Sequence, residues 1–335
     1  MNAQEEKKDL RVLVTGGGGF IGSHIVDACV KAGHDVAVLD NFSTGSRNNV
    51  NGGARIFDAN IVNRQATFSV ISKFSPHVVC HQAAHVSVPE SMQNPALDCE
   101  VNCIGTMHLI EALTKLSCFK RFVFASSGGA VYGESQNSKD DPGHAELTSV
   151  PAPKNPYGIN KLSIELHLHD VWRWQYPIEA KILRYSNVYG PRQATRGEGG
   201  VIATYFRNLK EGKKLKVYAM HEQGDTGCVR DYVYVDDVVK ANMKAIEGKY
   251  AFDYLNVSSG QKTDTATLAT MCASTYHNGI PEGPVSDWLE FLPPRLGDIR
   301  RSSIDPTRFK QLVGEPTPLK VGLERYLEWL KEHGR

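Results

Sequence analysis

The sequence predicts an α/β fold: a doubly wound parallel sheet with helices on both faces, followed by a smaller α/β C-terminal lobe. Three observations predict it. Short β-branched runs alternate with longer amphipathic stretches up to about Tyr185, the pattern of strands joined by crossover helices. A glycine-rich turn, VLVTGGGGFIGSH, carries the first run straight into the first amphipathic stretch. After Gly190 the alternation gives way to Gly, Pro and charge, so a second unit begins there.

Taken in order, Arg11–Thr15, Asp35–Leu39, Arg55–Phe57, Val78–His81, Arg121–Ala125 and Lys181–Tyr185 read as strands. Phe20–Ala32, Gln65–Phe74, Asn94–Leu116 and Tyr157–Gln175 space their apolar residues as helices. Right-handed crossovers between such strands place helices on both faces of one sheet. Further on, Tyr232–Val235 reads as a strand, and Leu323, Leu327 and Leu330 share one face of a final helix. The expected division is 10–190 with 232–262 for the sheet domain, and 191–231 with 263–335 for the smaller lobe.

At 335 residues, 41% hydrophobic and 22% charged, the chain can bury a sizeable core. A net charge of +1 provides no global field to recruit nucleic acid or a membrane surface. No apolar run approaches the roughly 18–20 residues that cross a bilayer, and MNAQEEKKDL lacks the apolar core of a signal peptide. Seven cysteines form no CxxC pair and no His/Cys cluster, so reduced thiols in a cytoplasmic protein without a metal are expected.

Within the glycine turn, Gly16, Gly19 and Gly22 are spaced G-x-x-G-x-x-G between a strand and a helix. That is the Rossmann arrangement for a dinucleotide pyrophosphate, with free helix N–H groups facing the phosphates. Asp40 closes the next strand, 18 residues past Gly22. A carboxylate there accepts ribose hydroxyls and repels a 2′-phosphate, which selects NAD over NADP.

Tyr157 and Lys161 in NPYGINKLSIE lie at i, i+4 and project from one helix face. A phenol ordinarily titrates near 10, and a neighbouring ammonium lowers it toward a working base. Ser126 and Ser127 end a strand in FVFASSGGAVYGE, where such a sheet opens to its ligand.

With these motifs in order, the chain resembles extended short-chain dehydrogenase/reductases of the UDP-glucose 4-epimerase family. The similarity runs from TGGGGFIG through DNFSTG, HQAAHVSV, VNCIGT, ASSGGAVYG, YGINK, LRYSNVYGPR and VRDYVYVDD to PRLGDIRRSSID. The resemblance implies that Gly16, Gly19, Phe20, Ile21 and Gly22 hold the NAD pyrophosphate, and that Asp40, Asn41, Ser43, Thr44 and Gly45 surround the adenosine ribose. Asn60 and Ile61 fall at the adenine, where the family has Asp and an apolar residue; Asn still accepts from the adenine amine, more weakly. Gln82, Ala83, Ala84, His85 and Asn102 line the central NAD channel, and Tyr185 and Ser186 lie beside the nicotinamide.

On the substrate side the resemblance assigns Asn187, Arg230 and Arg295 to the diphosphate. It assigns Gly200, Val201, Val217 and Tyr218 to the uracil, and Asp298 to the uridine ribose. Tyr157 is then the base at the sugar 4-hydroxyl, and Lys161 fixes the nicotinamide ribose. The catalytic hydroxyl falls on Ser127 and a cofactor-supporting one on Ser126, although one extra residue in SSGGAVYG leaves exchange of these roles open. Ser302 stands at the size-limiting position and, with Ser87, implies room for an N-acetyl group. A UDP-sugar is thus the expected ligand, and reversible C4 epimerisation through a 4-keto sugar the expected reaction.

Three other readings stay in view. A 4,6-dehydratase places an Asp-Glu pair where this chain has Gly128-Gly129, which do no acid–base work. A UDP-glucuronate 4-epimerase or decarboxylase shares the fold, and an NAD-sensing binding protein shares the cofactor loop. By the same resemblance, the helices at Asn94–Leu116 and Tyr157–Gln175 pair across a homodimer.

Overall fold

The computed structural model describes residues 9–135, 143–176, 178–194, 199–295 and 298–334. Most of the polar N-terminal stretch, part of the Gly-rich 191–230 region and two residues of PRLGD lie outside the described residues.

The large sheet uses β1 (Arg11–Thr15), β2 (Asp35–Asp40), β3 (Arg55–Asp58), β4 (Val78–His81), β5 (Arg121–Ser127) and β6 (Glu179–Tyr185). These are the six expected strands, extended by a residue or two at their ends. Smaller sheets use β7 (Asn187–Tyr189), β8 (Leu215–Tyr218) and β9 (Val229–Tyr234). A later segment, β10 (Tyr254–Val257), returns to the edge of the large sheet beside β6. Its seven parallel strands run β3-β2-β1-β4-β5-β6-β10. Val12, Leu13 and Val14 are wholly buried, as a parallel strand covered on both faces requires.

One face is covered by α1 (Phe20–Lys31); α2 (Arg64–Phe74) lies on the other. After β4 come α3 (Val88–Gln93), α4 (Pro95–Cys99) and α5 (Thr106–Leu113). The expected helix Asn94–Leu116 is therefore α4 and α5 joined by a π-helical stretch, Glu100–Gly105. A short turn, α6 (Gly128–Val131), follows β5. The expected helix Tyr157–Gln175 divides likewise into α7 (Pro156–Leu166), a π-helical stretch His167–Trp172, and α8 (Arg173–Gln175). Asn155 caps α7 by accepting from Gly158 N–H at 2.8 Å, and Pro156 takes the first helical position, where its missing N–H costs no hydrogen bond.

The smaller lobe begins with α9 (Val201–Lys210), whereas α10 (Val235–Ile246) packs back against α1 on the large sheet. The lobe closes with β11 (Lys262–Asp264), α11 (Thr265–His277), β12 (Leu289–Leu292), β13 (Arg301–Ser302), α12 (Thr307–Val313) and α13 (Leu319–Glu332). Of Tyr232–Val235, expected as a strand, Tyr232–Tyr234 is the second half of β9 and Val235 opens α10; β9 pairs with β7, β11 and β13 rather than with the large sheet. Leu323, Leu327 and Leu330 on α13 are buried against Ile202, Phe206 and Leu268. Among the described residues no helix is long and apolar enough to cross a membrane.

Candidate active site

In a doubly wound sheet the crevice opens where the strand order reverses. Here that point lies between β1 and β4, whose C-terminal ends are neighbours. Gly16 leaves β1 at φ +67°, and a Cβ there would stand 2.7 Å from Ala83 N. At Gly22 a Cβ would lie 2.1 Å from the Gly16 carbonyl oxygen. Only glycine lets the chain turn this tightly and bring α1 so close to the strand. The N-cap of α1, Gly19, carries no side-chain acceptor, so the first N–H groups remain available to an anion in the cleft. Asp40 is buried and accepts from Gly18 N–H and Phe42 N–H, each at 2.8 Å. It thereby ties the end of β2 to the glycine turn and keeps a carboxylate beside it.

A cavity of about 1120 Å³ opens along these ends. That exceeds the roughly 300–1,000 Å³ of a single small-molecule pocket and gives room for two nucleotides. Gly16, Gly19, Phe20, Ile21, Gly22, Asp40, Asn41, Ser43, Thr44, Gly45, Asn60 and Ile61 line one arm. Gln82, Ala83, Ala84, His85, Ser126, Ser127, Tyr157 and Tyr185 line the middle. The arm toward the smaller lobe is lined by Ser186, Asn187, Gly200, Val201, Arg230, Asp298 and Ser302.

Several expected residues stand elsewhere. Asn102 is buried behind the channel, where it accepts from His85 N–H at 3.0 Å and donates to the His85 carbonyl at 2.9 Å. Ser87 is turned to α3, whose Glu90 N–H it accepts at 3.3 Å, and does not line the cavity. Val217 points into the core of the smaller lobe, while Tyr218, on the opposite face of β8, carries the Arg295 guanidinium 4.1 Å over its ring. Neither they nor Arg295, which is exposed and paired with Asp298 at 3.1 Å, line the cavity.

Asn60 also differs from expectation. Its Oδ1 accepts from Val62 N–H at 3.0 Å, and a main-chain N–H admits only the oxygen of the amide there.

Three side chains meet below the middle of the cleft. Lys161 is buried and donates to the Ala125 carbonyl at 2.9 Å, with its Nζ 5.8 Å from the centre of the Tyr157 ring. Burial pulls its ammonium down to about 8, although Asp98, Cys103 and Glu165 oppose that shift. Ser126 and Ser127 are distinguished by their partners: Ser126 Oγ donates inward to Glu165 at 2.5 Å, whereas half-buried Ser127 ends β5 at the cavity. Tyr185 spends its hydroxyl on Asn242 Oδ1 at 3.1 Å.

Arg230 and Asp231 diverge. Wholly buried Asp231 accepts from Ser259 N–H and Oγ, Gly260 N–H and Ser186 Oγ at 3.0, 2.7, 3.0 and 3.4 Å. Burial, partly offset by these donors, pushes its carboxyl up to about 6. The Arg230 guanidinium lines the cavity instead, donating to the Val229 carbonyl at 2.9 Å. Asn187 Nδ2 donates to the Asp231 carbonyl at 3.1 Å, so β9 positions both Asn187 and Arg230 on this arm of the cavity.

Two further groups at the cleft lie outside the sequence expectations. Glu165 takes Arg184 Nε at 3.0 Å as well as Ser126, and both charges are buried. Tyr157, Lys161 and Glu165 recur every four residues on α7, and that spacing is the signal that reveals Glu165. On the other side, exposed Glu134 accepts from Arg300 N–H at 2.7 Å and Arg301 N–H at 2.9 Å. It holds the segment bearing Ser302 against the cleft, and nothing in its sequence spacing points there.

Residues 12–257 match the family described as NAD dependent epimerase/dehydratase. The UDP-glucose 4-epimerase of Mycolicibacterium smegmatis is 36% identical over 330 residues, covering 96% of this chain and 99% of that one. The crystal structure of Thermus thermophilus UDP-glucose 4-epimerase in complex with NAD superposes with a TM-score of 0.87 at 38% identity, over 96% of this chain and 99% of that one. That of Thermotoga maritima UDP-glucose 4-epimerase with UDP-glucose gives 0.87 at 36% identity, over 97% and 100%. The glycine turn, the Asp40 carboxylate and the two-nucleotide cleft thus carry the same meaning as the chain-long similarity: the protein is an NAD-dependent enzyme of the epimerase/dehydratase family.

Proposed function

We propose that the protein inverts C4 of a UDP-hexose, interconverting UDP-glucose and UDP-galactose and also their N-acetylated counterparts. The observation that carries this is that Ser127 and Tyr157 both line the middle of a cleft that runs from the glycine turn to Arg230. When bound, NAD accepts hydride from C4 and returns it. Tyr157 takes the proton of the 4-hydroxyl and gives it back, Ser127 shares the same oxygen, and Lys161 keeps positive charge beside the phenol. Arg230 and Asn187 grip the diphosphate, with Arg295 and Asp298 at the cleft edge. The 4-keto sugar turns over between these two grips, so that hydride returns to its other face. In this reading 10–190 with 232–262 hold the cofactor, and 191–231 with 263–335 hold the nucleotide sugar. Gly128-Gly129 beside the reactive centre offer no acid or base for dehydration.

The sugar end is bounded by small residues. Ser302 is buried at the cavity, its Oγ 3.2 Å from where a Cβ on Gly129 would stand. Space beside it suits an acetamido group, and a phenol in its place would fill that space. The test is a panel of UDP-glucose, UDP-galactose, both N-acetylhexosamine forms and UDP-glucuronate, compared by kcat/KM. Ser302→Tyr is expected to lower kcat/KM for the acetylated pair by about 100-fold or more, the order of a filled pocket, and to keep UDP-galactose turnover. Equal loss of both activities would defeat the pocket argument, and UDP-glucuronate as the best substrate would move the protein to the uronate reading. We also propose a homodimer through α4–α5 and α7–α8, which pack together and leave Ile104, Leu166 and Trp174 exposed.

A further inference from the structure

The adenosine end of the cleft can be traced from the protein alone. With the pyrophosphate at the N-terminus of α1 and a ribose at Asp40, the base must pass beyond β2 toward the end of β3. There the cavity is walled by Leu39, Ala59 and Ile61, with exposed Asn60 at its rim. A flat base fits such a slot, and its edge meets residues 58–61.

The hydrogen-bonding groups at that edge are largely spoken for. Asp58 is turned to Arg47 in an ion pair and does not line the cavity. The Asn60 carbonyl accepts from Asn63 N–H at 2.9 Å. The Ile61 carbonyl takes Thr67 Oγ1 and His108 Nδ1, each at 3.2 Å. Asn60 Oδ1 is held by Val62 N–H at 3.0 Å. With Oδ1 turned to Val62 N–H, the group Asn60 has left to offer a base at the cavity is its Nδ2, two donors with no partner among the described residues. An adenine edge presents a donor of its own, the 6-amino group, whereas a 6-oxo purine presents an acceptor there. A carboxylate at this position would keep one oxygen on Val62 and turn a second, fully charged one to the amine; the amide has only the remaining lone pair of an oxygen already turned to Val62.

We propose that Asn60 removes selectivity for the 6-amino group from the cofactor site, so that the protein takes NAD and its hypoxanthine counterpart, deamino-NAD, with comparable affinity. The proposal deepens the NAD reading of the cleft and rests on it. It also reverses the expectation that Asn60 accepts weakly from the adenine amine.

The test is a competition at the holoenzyme. The purified protein is incubated with an equimolar excess of NAD and deamino-NAD until the bound composition is constant. Unbound nucleotide is then removed, and the retained dinucleotides are released by heat and quantified by chromatography. Wild type is expected to retain the two within about threefold of each other. Asn60→Asp is expected to shift the ratio toward NAD at least tenfold, the worth of about 1.4 kcal/mol. Because both cofactors compete for one protein sample, a general loss of stability in the variant leaves the ratio readable. A wild type that retains NAD tenfold or more over deamino-NAD, or a ratio that Asn60→Asp leaves unmoved, overturns the role of Asn60 while the NAD reading stands. Retention of neither dinucleotide by wild type overturns both.

Discussion

At the residue scale the chemistry concentrates in one buried cation. Lys161 has left water to donate to the Ala125 carbonyl, and burial brings its ammonium down to about 8. The charged form is present below that value and is lost as pH rises through it. If that charge sustains Tyr157, kcat/KM of the free enzyme should fall on the alkaline side with an apparent pKa near 8. A flat profile from pH 7 to 9.5 would separate Lys161 from catalysis. The placement of Tyr157, Lys161, Asp40 and the glycines about one cleft was legible in the sequence, because it follows from spacing along a single turn or helix. Glu165 had only its place four residues after Lys161 to point to it, and Asp98 and Arg184 had no such signal, because their partners lie far away in sequence and a charged residue reads by default as exposed. The different partners of the two serines likewise needed the fold: Ser126 donates to Glu165, while Ser127 ends β5 at the cavity.

Among the elements, the β1–α1 turn tolerates least. A methyl on Gly22 would stand 2.1 Å from the Gly16 carbonyl, against backbone that cannot swing aside. Gly22→Ala should therefore push α1 off the strand and lower retention of NAD by on the order of 100-fold, about 2.7 kcal/mol, measured as cofactor released per protein. A variant that keeps a full complement would contradict the close-packing account. Strand and helix positions in the first half were read well from apolar period. The π-helical stretches at Glu100–Gly105 and His167–Trp172 were not, because one extra residue per turn leaves the apolar pattern of a long helix nearly intact. Nor did spacing reveal that Val217 and Tyr218 face away from the cavity, since the pairing of β8 with β12 decides that.

For the whole molecule, the account places one nucleotide on each arm of a single cleft and the reacting carbon between them. Six of the seven strands of the large sheet were legible, but β10 was not, nor was the smaller lobe, because these short strands arrive across long loops and carry little period of their own. The proposed homodimer belongs to this scale too: sedimentation equilibrium should give twice the 37.0 kDa of the chain, and a monomer at micromolar concentration would remove it. The central claim is that C4 is oxidised and then reduced by the same hydride. UDP-galactose carrying deuterium at C4, incubated with the protein and no added NAD, tests it most directly. The account predicts UDP-glucose with the deuterium still on C4. UDP-glucose that has exchanged the label for solvent hydrogen, or no inversion at C4 by protein that retains NAD, would contradict it.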